Sequence, residues 1–305
     1  MEKELVFGHK NPDTDAIGAA IAAADYFKHQ GIDTEAVILG EPNEETKFAL
    51  NYFNLDVPRI IEKADTEKVI LVDHNEAEQS VSNIEDLTVT HVIDHHKINF
   101  KTDLPLFYHA EPVGCTSTML YRFYEKDQVE IPKSIAGIML SAIISDTLLL
   151  KSPTTTDKDR RSLEKLAAIA GVDDYEKYGM EMLKAGTNLS GRTNHDIIDG
   201  DAKSFEMGGK KFKIGQVNTV DVDEVIHLPG LKDDVKKELE KEGFDDILLV
   251  ITNILDSNSK GIFFGSDSSA VEKAFNAKLK NQIIDLPGVV SRKKQIVPNL
   301  TKEME

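Results

Sequence analysis

The fold of the first half of the chain is decided by residues 5–20, which read LVFGHKNPDTDAIGAA. The apolar residues Leu5 to Phe7 are typical of a short buried strand, and the Ala-rich segment from Asp15 to Gln30 is typical of a helix. A polar turn with one histidine and two aspartates joins the two segments. A strand that passes directly into a helix indicates a βαβ unit and hence a mainly parallel sheet.

The alternation of strand and helix patterns continues as far as residue 150. Apolar runs predict further strands at residues 36–39, 69–72 and 91–93, and helices at residues 44–53, 116–125 and 134–150. We therefore predict an α/β fold whose N-terminal domain is a doubly wound, mainly parallel sheet. Ligands of such sheets bind outside the carboxyl ends of the strands, so the residues that follow each strand are candidates for a site.

The sequence changes character between Gly186 and Asn194, where Gly, Thr, Asn and Ser predominate. Beyond this segment, Gly208-Gly209 separates two strand-like runs and predicts a hairpin. Helices are predicted at residues 231–242 and 269–280, and strands at 247–254 and 261–264. We predict an N-terminal domain at residues 1–186, a hinge linker at 187–192 and a smaller C-terminal α/β domain at 193–305.

Composition excludes several classes of protein. The 305 residues carry a formal net charge of −17, which argues against nucleic-acid binding and leaves any anionic substrate to a local concentration of cations. The single cysteine, Cys115, indicates a reducing compartment. The first apolar run is too short for a signal peptide, and the run at 135–150 is too polar for a membrane span. We therefore predict a cytoplasmic protein with no membrane partner.

Four segments place carboxylates or imidazoles after a predicted strand or within an apolar helix. They are GHKNPDTD at residues 8–15, VDHN at 72–75, VIDHH at 92–96 and IISDTL at 143–148. Taken alone, Asp15 could be a helix cap. The two adjacent histidines after an aspartate, at residues 94–96, are less easily explained as ordinary core residues. Burying a carboxylate such as Asp146 in an apolar run costs free energy unless it is paired or metal-bound.

Together these segments supply four carboxylates and two imidazoles, from His9, Asp13, Asp15, Asp73, His95 and Asp146. Four negative charges balance two divalent cations. Asp73 is placed to bridge them, because a two-metal site holds its ions roughly 3.5–4 Å apart. The mixture of oxygen and nitrogen ligands suits Mn²⁺ or similar ions, and the lack of thiolates argues against a structural zinc site.

At these four segments, and at SRKKQ in residues 291–295, the sequence resembles the manganese-dependent family II inorganic pyrophosphatases of the DHH phosphoesterase superfamily. The resemblance extends over essentially the whole chain. It implies that one metal is held by His9, Asp13 and Asp73, and the other by Asp15, Asp73, His95 and Asp146. It also implies that the catalytic and substrate-binding residues are His96, Lys203, Arg292 and Lys293.

The resemblance further implies the reaction and the cofactors. The function would be hydrolysis of inorganic pyrophosphate to two phosphates, by in-line attack of a water or hydroxide that bridges the metals. Two Mn²⁺ ions per subunit are expected, with Co²⁺ or Mg²⁺ as substitutes and additional Mg²⁺ arriving with the substrate. Family members are typically homodimers that close their two domains over the substrate. From adjacency alone, we expect Asp94 to orient His95 and His96 to donate to the leaving phosphate.

Two other functions remain open from the sequence. An exopolyphosphatase or a small-nucleotide phosphodiesterase of the same superfamily would use the same metal cluster. The basic C-terminal run and the low aromatic content, 7% with no Trp, argue against the nucleotide-cleaving relatives. A non-catalytic sensor of Mn²⁺ or phosphate is the third interpretation. Without the resemblance, Arg292-Lys293-Lys294 would be more typical of a solvated surface.

Overall fold

The computed structural model describes residues 3–187, 189 and 191–304. The chain forms two compact units, Met1–Gly186 and Thr187–Glu305. Two positions of the predicted hinge, Asn188 and Ser190, lie outside the described residues. Within the described residues, no helix combines the length and the apolar character that crossing a membrane requires.

The N-terminal unit is built on a six-stranded sheet with the order β3-β2-β1-β4-β5-β6. All neighbouring strands run parallel, which confirms the predicted doubly wound α/β fold. The strand order reverses between β1 and β4, so the crevice at their carboxyl ends is the expected ligand site. The strands are β1 (Glu4–Phe7), β2 (Thr34–Ile38), β3 (Arg59–Ile60), β4 (Lys68–Val72), β5 (Thr88–Asp94) and β6 (Phe107–Ala110).

Buried apolar residues of six helices in this unit form one hydrophobic cluster with Val6, Ile70, Val72 and Ile93 of the sheet. The helices are α1 (Thr14–His29), α2 (Glu44–Tyr52), α3 (Thr116–Asp127), α4 (Lys133–Thr147), α5 (Asp157–Ala170) and α6 (Tyr175–Gly186). Helix α1 packs closely on α4 because its face is made of small residues, and a Cβ on Gly18 would lie 3.2 Å from the Ile138 carbonyl oxygen. Helix α4 is buried continuously over residues 135–144, of which Ser141 alone has a polar side chain.

The prediction of a helix to residue 150 is wrong for its last three residues. Helix α4 ends at Thr147, and Leu148, Leu149 and Leu150 follow with φ values of 48°, 53° and 64°. This left-handed region costs an L-residue roughly 1–2 kcal/mol. Hydrogen bonds hold the turn: the Leu149 amide donates to the Ile144 carbonyl (3.0 Å) and the Leu150 amide to Thr147 Oγ1 (3.1 Å).

The C-terminal unit has a five-stranded sheet with the order β11-β10-β9-β8-β7. Strands β8 and β9 run parallel and the other neighbours antiparallel, so this domain is a mixed α/β structure, as predicted. The turn at Gly208 and Gly209 joins β7 to β8 with φ values of 56° and 75°, which confirms the predicted hairpin. The strands are β7 (Ala202–Met207), β8 (Lys210–Thr219), β9 (Asp246–Asn253), β10 (Asn258–Gly265) and β11 (Ile283–Leu286).

Two hydrophobic clusters, one on each face of the second sheet, contain the buried residues of the helices that pack against it. The helix predicted at residues 269–280 is shorter than expected, because it ends at Phe275 before a left-handed Asn276. A π-helical turn, Arg292–Ile296, contains most of the predicted basic run. The helices are α7 (Asn194–Asp199), α8 (Val222–Ile226), α9 (Leu231–Glu242), α10 (Ser268–Phe275) and α11 (Val297–Met304).

Candidate metal centre

The sequence segments singled out for their carboxylates and imidazoles meet at the carboxyl edge of the first sheet. His9 lies just beyond β1, Asp73 directly follows β4, and His95 directly follows β5. Asp146 reaches the same place from the last turn of α4. The start of α1 adds Asp13 and Asp15, and the helix cap is Asp13 rather than Asp15, since Asp13 Oδ1 accepts from the Ala16 amide (2.9 Å).

Asp73 lies at the centre of the cluster. Its Oδ2 is 3.5 Å from His9 Nε2, its Oδ1 is 3.3 Å from His95 Nε2, and its side chain is only 2% exposed. The second carboxylate oxygen of Asp13 lies 3.6 Å from His9 Nε2. The two oxygens of one buried carboxylate therefore face two different imidazoles, an arrangement that suits a ligand shared between two ions.

Three groups of side chains bring their ligating atoms within 4.8 Å of one another. One group is His9, Asp13 and Asp73, and a second is Asp15, His95 and Asp146. A third combines Asp73 and His95 with His96. All six predicted metal ligands thus come together, and His96 lies beside them.

Backbone carbonyls fix the orientation of two imidazoles. His9 Nδ1 is 2.8 Å from the Lys10 carbonyl oxygen and His95 Nδ1 is 2.9 Å from the Val113 carbonyl oxygen. A carbonyl only accepts hydrogen bonds, so Nδ1 carries the proton in both rings and Nε2 is left to face Asp73. The expectation that Asp94 orients His95 is wrong, because Asp94 Oδ1 accepts from His96 Nδ1 (2.9 Å) and from the His96 amide (3.1 Å).

The first turn of α3 holds two of the carboxylates, which sequence reasoning missed. Asp15 accepts hydrogen bonds from the amides of Thr116 (2.6 Å) and Ser117 (3.1 Å) and from Ser117 Oγ (2.7 Å). Thr116 Oγ1 donates to Asp73 Oδ1 (3.0 Å). A helix N-terminus stabilises a negative charge. The signal in the sequence was the pair of hydroxyl residues at the start of a predicted helix.

Burial and neighbouring charges shift the pKa of four side chains in the cluster, Asp15, Asp146, His9 and His95. Burial, together with the Asp73 charge, raises the pKa of Asp15 to about 7. Burial, together with repulsion from Asp15 and then Asp73, raises the pKa of Asp146 well above its usual value. Burial alone would lower the pKa of His9, but its contacts with Asp13 and Asp73 raise it to about 11. The pKa of His95 rises to about 9 in the same way, through Asp73 and Asp15.

The charge, the donor atoms and the space around the cluster show whether these residues fit metal ions. Protons on the imidazoles and on Asp15 partly offset the negative charge, although such groups bind metal only after deprotonation. Four carboxylate groups and two oriented Nε2 atoms form a donor set that suits divalent cations such as Mn²⁺. The cluster opens into a cavity of about 570 Å³ whose wall also contains His96, Gly114, Ser152 and Thr154. The residues therefore fit two divalent cations next to a solvent-accessible space.

Comparison with known proteins agrees with this geometry. The model of the DHH family, N-terminal domain, matches residues 3–143, and that of the DHHA2 domain matches residues 180–303. A Lactobacillus johnsonii protein named as a manganese-dependent inorganic pyrophosphatase is 56% identical over 314 residues, covering 100% of both chains. A Bacillus cereus protein of the same name is 52% identical over 309 residues, again covering 100% of both. The chain belongs to the manganese-dependent, family II inorganic pyrophosphatases.

Solved structures support membership of the pyrophosphatase family. The crystal structure of a family II inorganic pyrophosphatase from Methanococcus jannaschii is 41% identical, with a TM-score of 0.64 and 99% coverage of both chains. An exopolyphosphatase-related protein from Bacteroides fragilis has a TM-score of 0.53 at 12% identity, covering 99% of this chain and 93% of its own. At that identity the second likeness shows a shared fold only. The predicted family is therefore confirmed.

In the C-terminal unit of this family II pyrophosphatase, Arg292 is held from one side. Its Nη2 lies 2.7 Å from Asp201 Oδ1, and its Nη1 donates to the carbonyl oxygens of Asp201 and Ile214. Within the described stretches, Arg292 Nε has no hydrogen-bond partner. Nη1 and Nη2 of the guanidinium are thus held by the protein, and Nε is not.

Lys203 and Lys293 are both exposed and form no ion pair with any described residue. Lys203 pairs with Ile214 across the hairpin, and Arg292 reaches the Ile214 carbonyl, so these two cations belong to one region of the sheet. Gln295 Oε1 accepts from the amides of Val290 (2.9 Å) and Ser291 (3.0 Å) and fixes the start of the π-helical turn.

Proposed function

We propose that this chain hydrolyses inorganic pyrophosphate to two phosphates with the help of two Mn²⁺ ions. The observation that carries the proposal is the position of Asp73, whose two oxygens each face one of two ligand groups. Membership of a family whose named relatives are manganese-dependent inorganic pyrophosphatases supports both the substrate and the metal.

One ion would be held by His9, Asp13 and Asp73, and the other by Asp15, Asp73, His95 and Asp146. When bound, two divalent cations supply a water molecule of lowered pKa and neutralise charge on the phosphate oxygens. The protein's own contribution is to keep the ligands oriented. The carbonyls of Lys10 and Val113 fix the imidazoles, and the first turn of α3 fixes Asp15 and Asp73.

His96 is the candidate for a proton donor to the leaving phosphate. It lines the cavity of the metal cluster, and its side chain is 54% exposed. The hydrogen bond from Nδ1 to Asp94 raises the pKa of His96, which favours the protonated imidazole. In the described part of the chain its Nε2 has no partner, so this atom is available to a phosphate oxygen.

Lys203, Arg292 and Lys293 are proposed as the phosphate-binding side chains of the C-terminal unit. Arginine can bind two phosphate oxygens at once, whereas lysine acts as a point charge. The partner-free Nε edge of Arg292 suits the first role, and the unpaired ammonium groups of Lys203 and Lys293 suit the second.

The remaining proposals rest on family likeness. We propose a cytoplasmic homodimer joined through its N-terminal units, with additional Mg²⁺ arriving with pyrophosphate and with Co²⁺ or Mg²⁺ able to replace Mn²⁺. The domain bounds 1–186 and 193–305, with a hinge at 187–192, are proposed as the units that move during turnover.

Phosphate release tests the proposed function. The Mn²⁺-loaded protein is supplied in parallel with pyrophosphate, a short polyphosphate and a dinucleotide. We expect rapid release from pyrophosphate and little from the other two. Preferential release from polyphosphate or cleavage of the dinucleotide would assign the chain to another phosphoesterase class. Tight Mn²⁺ binding without any release would favour a sensor.

A further inference from the structure

The segment between Asp146 and α5 has an unusual backbone conformation that plays no part in the proposed reaction. Leu148, Leu149 and Leu150 are three consecutive residues in a left-handed conformation that leucine disfavours. Backbone outliers of this kind persist only where the surrounding structure determines them, and they cluster at sites that bind ligands.

The turn brings the chain back to the metal centre. The Ser152 amide donates to the Thr147 carbonyl (2.8 Å), which folds the chain back over the end of α4. Leu149 packs against Gly179, where a Cβ would lie 2.5 Å from Leu149 Cδ2. As a result, Ser152 and Thr154 line the same cavity as the cluster residues Asp73, His95 and Asp146.

The other end of the segment is fixed by Asp159, which is fully buried. Its carboxylate accepts from the amide and the hydroxyl of Thr156 (both 2.7 Å) and, on the other side, from the Gly114 amide (3.0 Å) and Thr118 Oγ1 (2.6 Å). Residues 152–156 are therefore tied to the first turn of α3, which itself holds Asp15. The segment is a fixed wall of the cavity.

The two residues of this wall that line the cavity, Ser152 and Thr154, both carry hydroxyl groups. Ser152 Oγ and Thr154 Oγ1 are 2.7 Å apart, so one hydroxyl donates to the other and one O–H remains for an external acceptor. Phosphate oxygens are such acceptors. A lysine at this position would instead pair with the carboxylates of the cluster and compete with metal ions, whereas a neutral hydroxyl does not.

We propose that the hydroxyl pair of Ser152 and Thr154 donates a hydrogen bond to a phosphate oxygen of the substrate at the metal centre. The inference rests on the proposed function in taking pyrophosphate as that substrate. It adds a neutral, N-terminal contact to the proposed contacts of His96, Lys203, Arg292 and Lys293.

The variants Ser152→Ala, Thr154→Val and their combination test the proposal. Three quantities are measured: the KM for pyrophosphate, the Kd for inorganic phosphate of the Mn²⁺-loaded protein, and the affinity for Mn²⁺. The double variant should raise KM and the phosphate Kd by about tenfold, as expected for one hydrogen bond to a charged group, and leave Mn²⁺ affinity unchanged. Thr154→Ser, which keeps the hydroxyl, should retain the wild-type values.

Thr155→Val is the matched control in the same segment. Thr155 Oγ1 is buried and finds no hydrogen-bond partner among the described residues, so its replacement by a methyl group should change none of the three quantities.

An unchanged phosphate Kd in the double variant would overturn the proposal, and so would an equal loss of Mn²⁺ affinity, which indicates a structural role. A wild-type protein that binds phosphate through these hydroxyls but does not hydrolyse pyrophosphate would refute the proposed function and leave this inference standing.

Discussion

The metal cluster of the N-terminal unit and the basic segment of the C-terminal unit are built in opposite ways. In the cluster, Asp15 and Asp73 are almost fully buried, and each is oriented by hydrogen bonds from the first turn of α3. In the basic segment, Lys203 and Lys293 are exposed and unpaired within the described residues, and only Arg292 is held. Carboxylates that repel one another must be held in place before an ion arrives, whereas lysines that meet a mobile anion can stay flexible.

The largest effect is expected at the centre of the cluster. Asp73→Asn keeps the shape of the side chain but removes the charge that both ligand groups share. Mn²⁺ affinity should fall by more than about 100-fold, beyond the loss typical of residues that only support a ligand, and turnover should fall with it. Equilibrium dialysis and phosphate release measure both. Asp103→Asn, at an exposed position, is the control and should change neither quantity. If the Asp73 variant still binds two Mn²⁺ ions, Asp73 does not bridge them.

The next effect separates metal binding from proton transfer. His96→Gln removes the proposed proton donor but none of the six proposed metal ligands. Turnover should fall by about 100-fold, as is typical of a lost general acid, while Mn²⁺ affinity changes little. Steady-state kinetics at saturating Mn²⁺ and a separate metal titration test this. Equal losses in both would assign His96 to the metal cluster, with Asp73 and His95.

The raised pKa values of the cluster predict that Mn²⁺ binding releases protons. With a pKa of about 11 for His9 and about 9 for His95, both imidazoles are protonated at pH 7 without metal and must lose these protons to become ligands. The overall affinity for two Mn²⁺ ions should therefore increase with pH by at least about 100-fold per unit near neutrality, because the raised pKa values of Asp15 and Asp146 add protons to the two from the imidazoles. Calorimetry in buffers of different ionisation enthalpy counts the protons, and a binding enthalpy independent of the buffer would contradict the prediction.

The smallest effect is expected in the C-terminal unit. Arg292→Lys keeps the charge but loses the planar edge that can bind two oxygens, so KM for pyrophosphate should rise by about tenfold with Mn²⁺ affinity unchanged. Lys294→Ala is the matched control, because among the described residues the Lys294 side chain has no hydrogen bond or ion pair, while its backbone amide donates to Ser291 Oγ. A KM that does not move in Arg292→Lys would refute a bidentate contact.

Much of the site could be predicted because its residues follow strands. His9, Asp73 and His95 stand just beyond apolar runs, and parallel strands bring their carboxyl ends to one edge. Because the strands are parallel, these three residues were expected to cluster at one edge of the sheet. The assignment of each ligand to one of two ions stays a prediction.

The rest depends on tertiary contacts that local patterns do not encode. The left-handed turn at Leu148 to Leu150 opposes the preference of leucine and is held by packing and by Thr147. The prediction that Asp94 orients His95 was wrong, because adjacency in sequence does not fix which imidazole turns toward the carboxylate. The support of Asp15 by α3 joins residues about 100 positions apart.

The proposed two-metal hydrolysis depends most on Asp73 being shared by two ions. Crystals of the Mn²⁺-loaded protein, with anomalous scattering recorded at the manganese edge, test this directly. We predict two peaks roughly 3.5–4 Å apart, one on each side of the Asp73 carboxylate. A single peak, or two peaks with Asp73 bound to only one of them, would contradict the account.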